Sequence, residues 1–188
     1  MSKLVGILLA AGKSSRFGSQ KLLYPLSDNT PMILASAAKL VHVLPDSIVV
    51  INHTLSGLTR QLEKMGMRVV INEQAEKGMG CSIACGVRAS DDASAWLIML
   101  ADMPYIKTET IGLLADTLKC GAKMVAPVLN QQRGHPVGFN QCFKHELLAL
   151  NDDMGARQVL KKYQHALELV SITDEGVLID VDQVSDVL

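Results

Sequence analysis

Aromatic residues are scarce in this chain, with three Phe, three Tyr and one Trp among 188 residues. So thin a supply provides no aromatic patch that would mark a partner surface. Neither sign of charge is in excess, with 18 Lys plus Arg against 19 Asp plus Glu and a formal net charge of -1. The broad basic field that nucleic acid or an anionic membrane selects is missing, and neither partner is expected. Any attraction for a polyanionic ligand must therefore be local. No apolar run is long enough to span a bilayer, and the N-terminus lacks the pattern of a signal peptide. A soluble, cytoplasmic protein is expected. No repeat and no low-complexity segment is present. The cysteines, Cys81, Cys85, Cys120 and Cys142, form no C-x-x-C pair. Their mostly apolar neighbours predict buried free thiols in a reducing compartment. Cys81 and Cys85 lie four apart, but the local sequence offers no further ligands for a metal. An apolar fraction of 48% over this length predicts a single domain, residues 1–188, with a full core.

What the chain does have is concentrated near its start, in LVGILLAAGKSSRFGSQKLL from Leu4 to Leu23. Val5 to Leu9 reads as a buried strand that stops at Ala10-Ala11-Gly12. A small-residue, cationic loop follows, containing Gly12, Lys13, Ser14, Ser15, Arg16, Gly18 and Lys21. Small side chains let backbone N–H groups approach an anion, and the cations neutralise it. The spacing matches neither a P-loop nor G-x-G-x-x-G. It reads L-A-A-G-x-S-x-R-x-G-x-x-K.

Strands and helices alternate downstream. Thr30-Pro31 reads as N-cap and first helical position, with a helix from Met32 to Val43. Further helices are predicted over Leu55 to Met65, Ser82 to Ala89, Thr108 to Leu118, Cys142 to Leu150 and Met154 to Tyr163. Strands are predicted over Ser47 to Ile51, Met67 to Ile71, Ala95 to Ala101, Lys123 to Pro127, Val137 to Phe139, Ala166 to Ser171 and Leu178 to Asp182. The alternation implies an α/β fold with a mainly parallel sheet and helices on both faces.

Ligands of open α/β sheets bind beyond the carboxyl ends of the strands. Three segments reach that edge. Asn72 to Gly80 precedes a helix with Ser82 in its first turn, where N–H groups can meet a base or phosphate; a simple glycine turn is the plainer reading. Asp102-Met103-Pro104 ends the most apolar strand. Asp102 could cap the next element, but Lys107 or Thr108 suits that start better, which leaves its carboxylate for a metal. Asp180 and Asp182 would share one face of a strand; like charges so placed suit a divalent cation or, more plainly, an exposed sheet edge. Arg133 and His135 flank Gly134 and could meet an anionic second substrate, although a lone His is more often structural. Asp152-Asp153 reads first as a helix start. No Ser-His-Asp or Cys-His arrangement is apparent.

The first-loop string resembles the signature of the molybdenum cofactor nucleotidyltransferases, within the wider α/β NTP transferases. Asp102-Met103-Pro104, Gly134-His135-Pro136-Val137 and Asp180-Val181-Asp182 follow in the family's order, and Asp153-x-Gly155-Ala156-Arg157 matches its D-x-G-A-R segment. The D-x-D match is partial, because Gln183-Val184 replaces the usual Thr-Pro. The resemblance implies a three-layer α/β/α, Rossmann-like nucleotidyltransferase (GT-A-like) fold. It implies that Leu9, Ala10, Ala11, Gly12, Ser14, Ser15, Lys21, Asn72, Gly78, Ser82 and Asp102 bind the nucleotide. It further implies catalytic roles for Lys21, Arg16 and Asp102. A metal, Mg²⁺ or Mn²⁺, would be held by Asp102 with Asp180 or Asp182, and Arg133 and His135 would meet the acceptor. Members that use CTP resemble Leu9-Ala10-Ala11-Gly12, whereas those that use GTP have L-A-G-G. The implied reaction transfers CMP from CTP to the terminal phosphate of Mo-molybdopterin, releasing pyrophosphate. A recipient molybdoenzyme or its chaperone is the implied protein partner. Two alternatives are transfer to another phosphorylated small molecule, such as a sugar or polyol phosphate, and a non-catalytic nucleotide-binding accessory protein.

Overall fold

The computed structural model describes residues 3–12, 21–151, 153 and 155–187. Its strands are β1 (Leu4–Ala10), β2 (Ser47–Ile51), β3 (Arg68–Ile71), β4 (Ala95–Leu100), β5 (Met124–Leu129), β6 (Gln132–Arg133), β7 (Val137–Asn140) and β8 (Leu167–Ser171). Its α-helices are α1 (Met32–Val43), α2 (Thr59–Lys64), α3 (Met79–Ala89), α4 (Thr108–Lys119), α5 (Lys144–Leu148) and α6 (Arg157–Lys162). The strands form one sheet in the order β3-β2-β1-β4-β7-β5, with β6 and β8 both paired to β5. β1 pairs parallel with β2 and β4, β2 with β3, and β5 with β8. The antiparallel β7 is inserted between β4 and β5.

Every residue of β1 is buried, because side chains alternate between two covered faces. Leu4, Leu8 and Ala10 enter a core with α1 and α4, whereas Val5, Ile7 and Leu9 enter one with α3, α5 and α6. Ile7 and Leu8 are 0% exposed, and such burial is worth about 1.5–3 kcal/mol per side chain. The result is the expected three-layer α/β/α, Rossmann-like arrangement. No helix among the described residues is long and apolar enough to cross a membrane.

Several local expectations are corrected. Pro31, not Thr30, occupies the cap position of α1, with no side-chain cap, and the Thr30 N–H is instead taken by the Asp28 carboxylate. The predicted helix from Leu55 splits into a 3-10 turn, His53–Leu58, and the short α2. Helix α3 begins at Met79, three residues before the predicted start at Ser82. The two late helices shrink to α5 and α6, with the 3-10 turn Gln141–Phe143 taking the start of the first. The cysteines are free but not buried: Cys81 and Cys85 are half-buried, and Cys120 and Cys142 are exposed.

The largest difference lies at the C-terminal end. The predicted strand Leu178 to Asp182 does not form. Glu175–Leu178 is a 3-10 turn and the residues up to Asp182 run as irregular chain. β4 is already paired on both edges by β1 and β7, so this segment has no ladder to join there. It crosses as a strap. The buried Asp174 carboxylate accepts from the Lys107 N–H at 2.8 Å, the Thr110 hydroxyl at 2.7 Å and the Gly176 N–H at 3.0 Å. The His135 N–H donates to the Val177 carbonyl, and the Val181 N–H to the Asp102 carbonyl, at 3.0 and 2.9 Å. A Cβ on Gly176 would stand 2.3 Å from the Tyr105 carbonyl oxygen, and one on Gly134 2.4 Å from that of Val177. Only glycine permits these crossings.

Candidate active site

β1 and β4 end side by side, with the Ala101 N–H donating to the Leu9 carbonyl at 3.0 Å. Ala11-Gly12 and Asp102 therefore emerge at one edge of the sheet. The turn carrying Asp102 is held from three directions. The Ser36 hydroxyl of α1 donates to the Ala101 carbonyl at 2.9 Å, and the Lys39 ammonium to the Pro104 carbonyl. The Val181 N–H of the strap takes the Asp102 carbonyl. Asn52, after β2, donates its side-chain amide to the Ala11 carbonyl at 3.2 Å. Ser36, Lys39, Asn52 and Asp174 were not singled out from sequence. Ser36 left a signal, as a polar residue on an otherwise apolar helix stripe; the others did not.

Lys21 opens the 3-10 turn Lys21–Leu23 and is 9% exposed. Its ammonium donates to Asp102 at 2.9 Å and to Asp182 at 2.6 Å. The two carboxylate oxygens can be no farther apart than the sum of those distances. Burial works against the lysine's charge, but the bond to Asp182 and the field and bond of Asp102 outweigh it, so the pKa lies above the ordinary lysine value. Asp180 stays apart and makes no bond to Lys21. By surface area it is exposed, yet the surrounding chain removes enough solvent to raise its carboxyl pKa. Its own backbone bond offsets part of that rise, and the fields of Asp182 and Asp102 add to it. Asp182 is steadied by Asp186, whose carboxylate accepts from the backbone N–H groups of Asp182 and Gln183 at 2.9 and 2.8 Å. Because the D-x-D segment is a strap, the two aspartates do not act as a strand pair. Among the described residues, no three or more His, Cys, Asp or Glu side chains are grouped as a metal ligand cluster.

A cavity of about 470 Å³ opens beside this cluster. One wall is Leu9, Ala10, Ala11 and Gly12, with Lys21 and Asp102 at its end; the facing wall includes Gly78, Met79 and Ser82. Asn72 is not in the wall. Its buried side chain donates to the Ser82 hydroxyl at 3.0 Å and accepts from the Gln74 N–H at 3.0 Å, so it orients the facing loop from behind. Ser14, Ser15 and Arg16 lie outside the described residues, as do Lys13 and Gly18.

A second cavity, about 420 Å³, shares Leu9, Met79, Leu100 and Asp153 with the first and adds Arg133 and His135. The His135 Nδ1 is buried with no hydrogen-bond partner. Burial, then the charge of Arg133, holds the imidazole pKa below its ordinary value, against a smaller opposing pull from Asp102.

Residues 6–167 match the MobA-like NTP transferase domain. The chain belongs to this family. Among curated relatives of this MobA-like chain, purine catabolism protein PucB of Bacillus subtilis is 31% identical, over 95% of this chain and 91% of its own. Nicotine blue oxidoreductase of Paenarthrobacter nicotinovorans is 26% identical, covering 96% and 93%. A probable molybdenum cofactor guanylyltransferase of Bacillus mycoides is 32% identical, covering 71% and 66%. The crystal structure of Rv0371c from Mycobacterium tuberculosis superposes with a TM-score of 0.86 at 25% identity, over 98% of this chain and 95% of that one. A structure of Rv0371c in complex with manganese gives 0.82 at 23% identity, over 98% and 96%.

The MobA-like chain is thus a nucleotidyltransferase by family. Such a transfer needs charge neutralisation at a triphosphate and an in-line approach of the acceptor, not a nucleophilic side chain. Here a cation and a carboxylate, Lys21 and Asp102, line one cavity, Asp182 pairs with the same cation, and a second cavity shares four of the first one's wall residues.

Proposed function

We propose that this chain transfers CMP from CTP to the terminal phosphate of Mo-molybdopterin, releasing pyrophosphate, as a single domain. The observation that carries the reading is the convergence of Lys21, Asp102 and Asp182, the first two in the wall of the first cavity beyond the ends of β1 and β4. Ala11 supports CTP over GTP. It is 2% exposed in the wall of the first cavity, and its methyl takes space that glycine would leave over a base.

In this reading Leu9 to Gly12, with Ser14 and Ser15, line the nucleotide side, and Gly78 and Ser82 face them. Arg16 adds charge beside the phosphates. To reach a phosphate oxygen, the Lys21 ammonium exchanges its carboxylate partners for the α-phosphate. One unit charge about 4 Å from another is worth roughly 4 kcal/mol at an effective dielectric near 20, which is enough to matter at the reacting centre. Asp102 and Asp182 already converge on one cation, and two carboxylates plus phosphate oxygens are a donor set that suits Mg²⁺. Mg²⁺ or Mn²⁺ held there would act as Lewis acid and template; the manganese complex of the mycobacterial neighbour supports that choice. Arg133 and His135 line the acceptor side. The acceptor phosphate arrives ionised, so no general base is required. A recipient molybdoenzyme or its chaperone would take the product.

Pyrophosphate release tests this directly. With purified molybdenum cofactor and Mg²⁺, CTP is expected to support release at least about tenfold faster than GTP, the scale that one methylene commands in a pocket. A clear preference for GTP, or release with sugar phosphates but not with the cofactor, overturns the assignment.

A further inference from the structure

Lys39 is a half-buried titratable group that the reaction as drawn does not use. It lies on α1 one turn after Ser36, and residues three apart on a helix share a face. Both side chains bond carbonyls of the turn that carries Asp102, Ser36 that of Ala101 and the Lys39 ammonium that of Pro104. Among the described residues Lys39 makes no ion pair. Burial holds its pKa below the ordinary lysine value, against the weaker pulls of Asp174 and then Glu109. The Asp174 carboxylate is already taken up by the Lys107 N–H, the Thr110 hydroxyl and the Gly176 N–H. A cation that burial disfavours costs the fold stability, and a methionine would fill the same space without that cost. Packing does not account for the ammonium, but its place on the turn does. Along the chain the turn is fixed alternately from two sides: Ala101 by Ser36, Asp102 by the Val181 N–H, Pro104 by Lys39 and the Lys107 N–H by Asp174. Ser36 and Lys39 belong to α1, whereas Val181 and Asp174 belong to the strap that leads to Asp182. Ser36 is the α1 anchor before Asp102, and Lys39 the one after it.

We propose that Lys39 is a positioning residue for the transfer: by holding the Pro104 carbonyl against α1 it keeps Asp102 in register with the strap, so that Asp102 and Asp182 meet at Lys21. Lys39 lines neither the nucleotide cavity nor the second one, and it acts through Asp102. The inference rests on the nucleotidyltransferase reading above for what Asp102 does, and on the bonding of the turn for where Asp102 is held. Lys21 reaches the two carboxylates at 2.9 and 2.6 Å, so a slip of the turn by about 1 Å breaks one of those bonds, and a misplacement of that size costs on the order of 10²-fold in rate. A brace that serves only the fold is the competing role. Its loss would loosen the whole sheet rather than this turn.

Two measurements on the full chain test it. In the first, amide hydrogen exchange of Lys39→Met is compared with that of wild type without nucleotide. Exchange at the Val181 N–H, which bonds the Asp102 carbonyl, is expected to quicken about tenfold or more, with Leu97 and Ile98 of β4 within about twofold. No change at Val181, or an equal rise in β4, overturns the proposal whatever the enzyme's acceptor. Lys39→Gln carries the same comparison where Lys39→Met does not fold. In the second, pyrophosphate release from CTP is followed with the molybdenum cofactor. Lys39→Met is expected to lower kcat about tenfold with the KM for CTP within about twofold, and Lys39→Arg, which keeps a cationic donor, to recover most of the loss. An unchanged kcat, or a loss confined to the KM for CTP, overturns the positioning role. If wild type does not turn over the cofactor, the proposed reaction fails, while exchange at Val181 still decides whether Lys39 sets the turn.

Discussion

Two cationic regions of the molecule, one at Lys21 and one in the groove lined by Arg133, Arg157 and Lys161, are balanced differently. At the nucleotide cavity Lys21 is 9% exposed and holds two carboxylates, Asp102 and Asp182, at 2.9 and 2.6 Å. In the groove Arg133, Arg157 and Lys161 are exposed and unpaired among the described residues. A buried cation has to be paired to be tolerated, so the folded chain carries its own counter-charges where the chemistry is read to occur. An exposed cation is paired by water, and its specificity waits for a ligand. The contrast separates a buried cation held by its own counter-charges from exposed ones held by water.

Breaking the balanced region is expected to have the largest effect. Lys21→Ala should lower pyrophosphate release by about 10²–10³-fold, the range for removing one preorganised electrostatic group from a transition state. Asp102→Asn should cost a similar factor, and a rate within twofold of wild type for either would refute the cluster's role. Asp174→Ala attacks the strap that brings Asp182 to Lys21. It leaves the Lys107 N–H, the Thr110 hydroxyl and the Gly176 N–H without their acceptor, which should cost on the order of 3 kcal/mol. Urea denaturation reads this as a lower midpoint at constant m value. Ala11→Gly should shift the CTP-to-GTP ratio toward GTP by about tenfold, measured by release from each nucleotide in parallel.

The groove should respond in the opposite sense. Arg157→Gln removes a cation from the first turn of α6, where the helix dipole disfavours it, and should raise the melting temperature by about 1–2 °C. A fall in melting temperature of several degrees would mean that this cation supports the fold, and would erase the contrast between the two regions.

Much of this was legible in the residue order. Val5 to Leu9 and Ala95 to Leu100 read as buried strands because both their faces are apolar, and both form. The small-residue exit of β1 and the abrupt Asp102 after β4 pointed to the same edge, and the parallel register Leu9↔Leu100 puts them there. The D-x-D segment misled because alternation was read as strand geometry, while no strand edge was available beside β4. The family resemblance grouped Asn72 with the nucleotide residues; its side chain bonds Ser82 and the Gln74 N–H, from behind the loop that lines the cavity. Arg133 and Arg157 were each noted in sequence, but their meeting with Lys161 in one groove was not legible, since one lies on a strand and the others on a helix far along the chain.

Hydrophobic periodicity and the placement of glycine, proline and small residues by themselves determined the alternation of strands and helices, the layered sheet and the position of a small-residue, cationic stretch after β1. Those properties are local, repeating within a few residues. Which carboxylates meet Lys21 was decided only in three dimensions. Asp102 lies 81 residues away along the chain and Asp182 161, and Asp182 rather than Asp180 reaches the ammonium because a buried carboxylate and two glycine crossings pin an irregular strap. Pattern along a chain carries no information about contacts at such separations; packing and hydrogen bonding supply it.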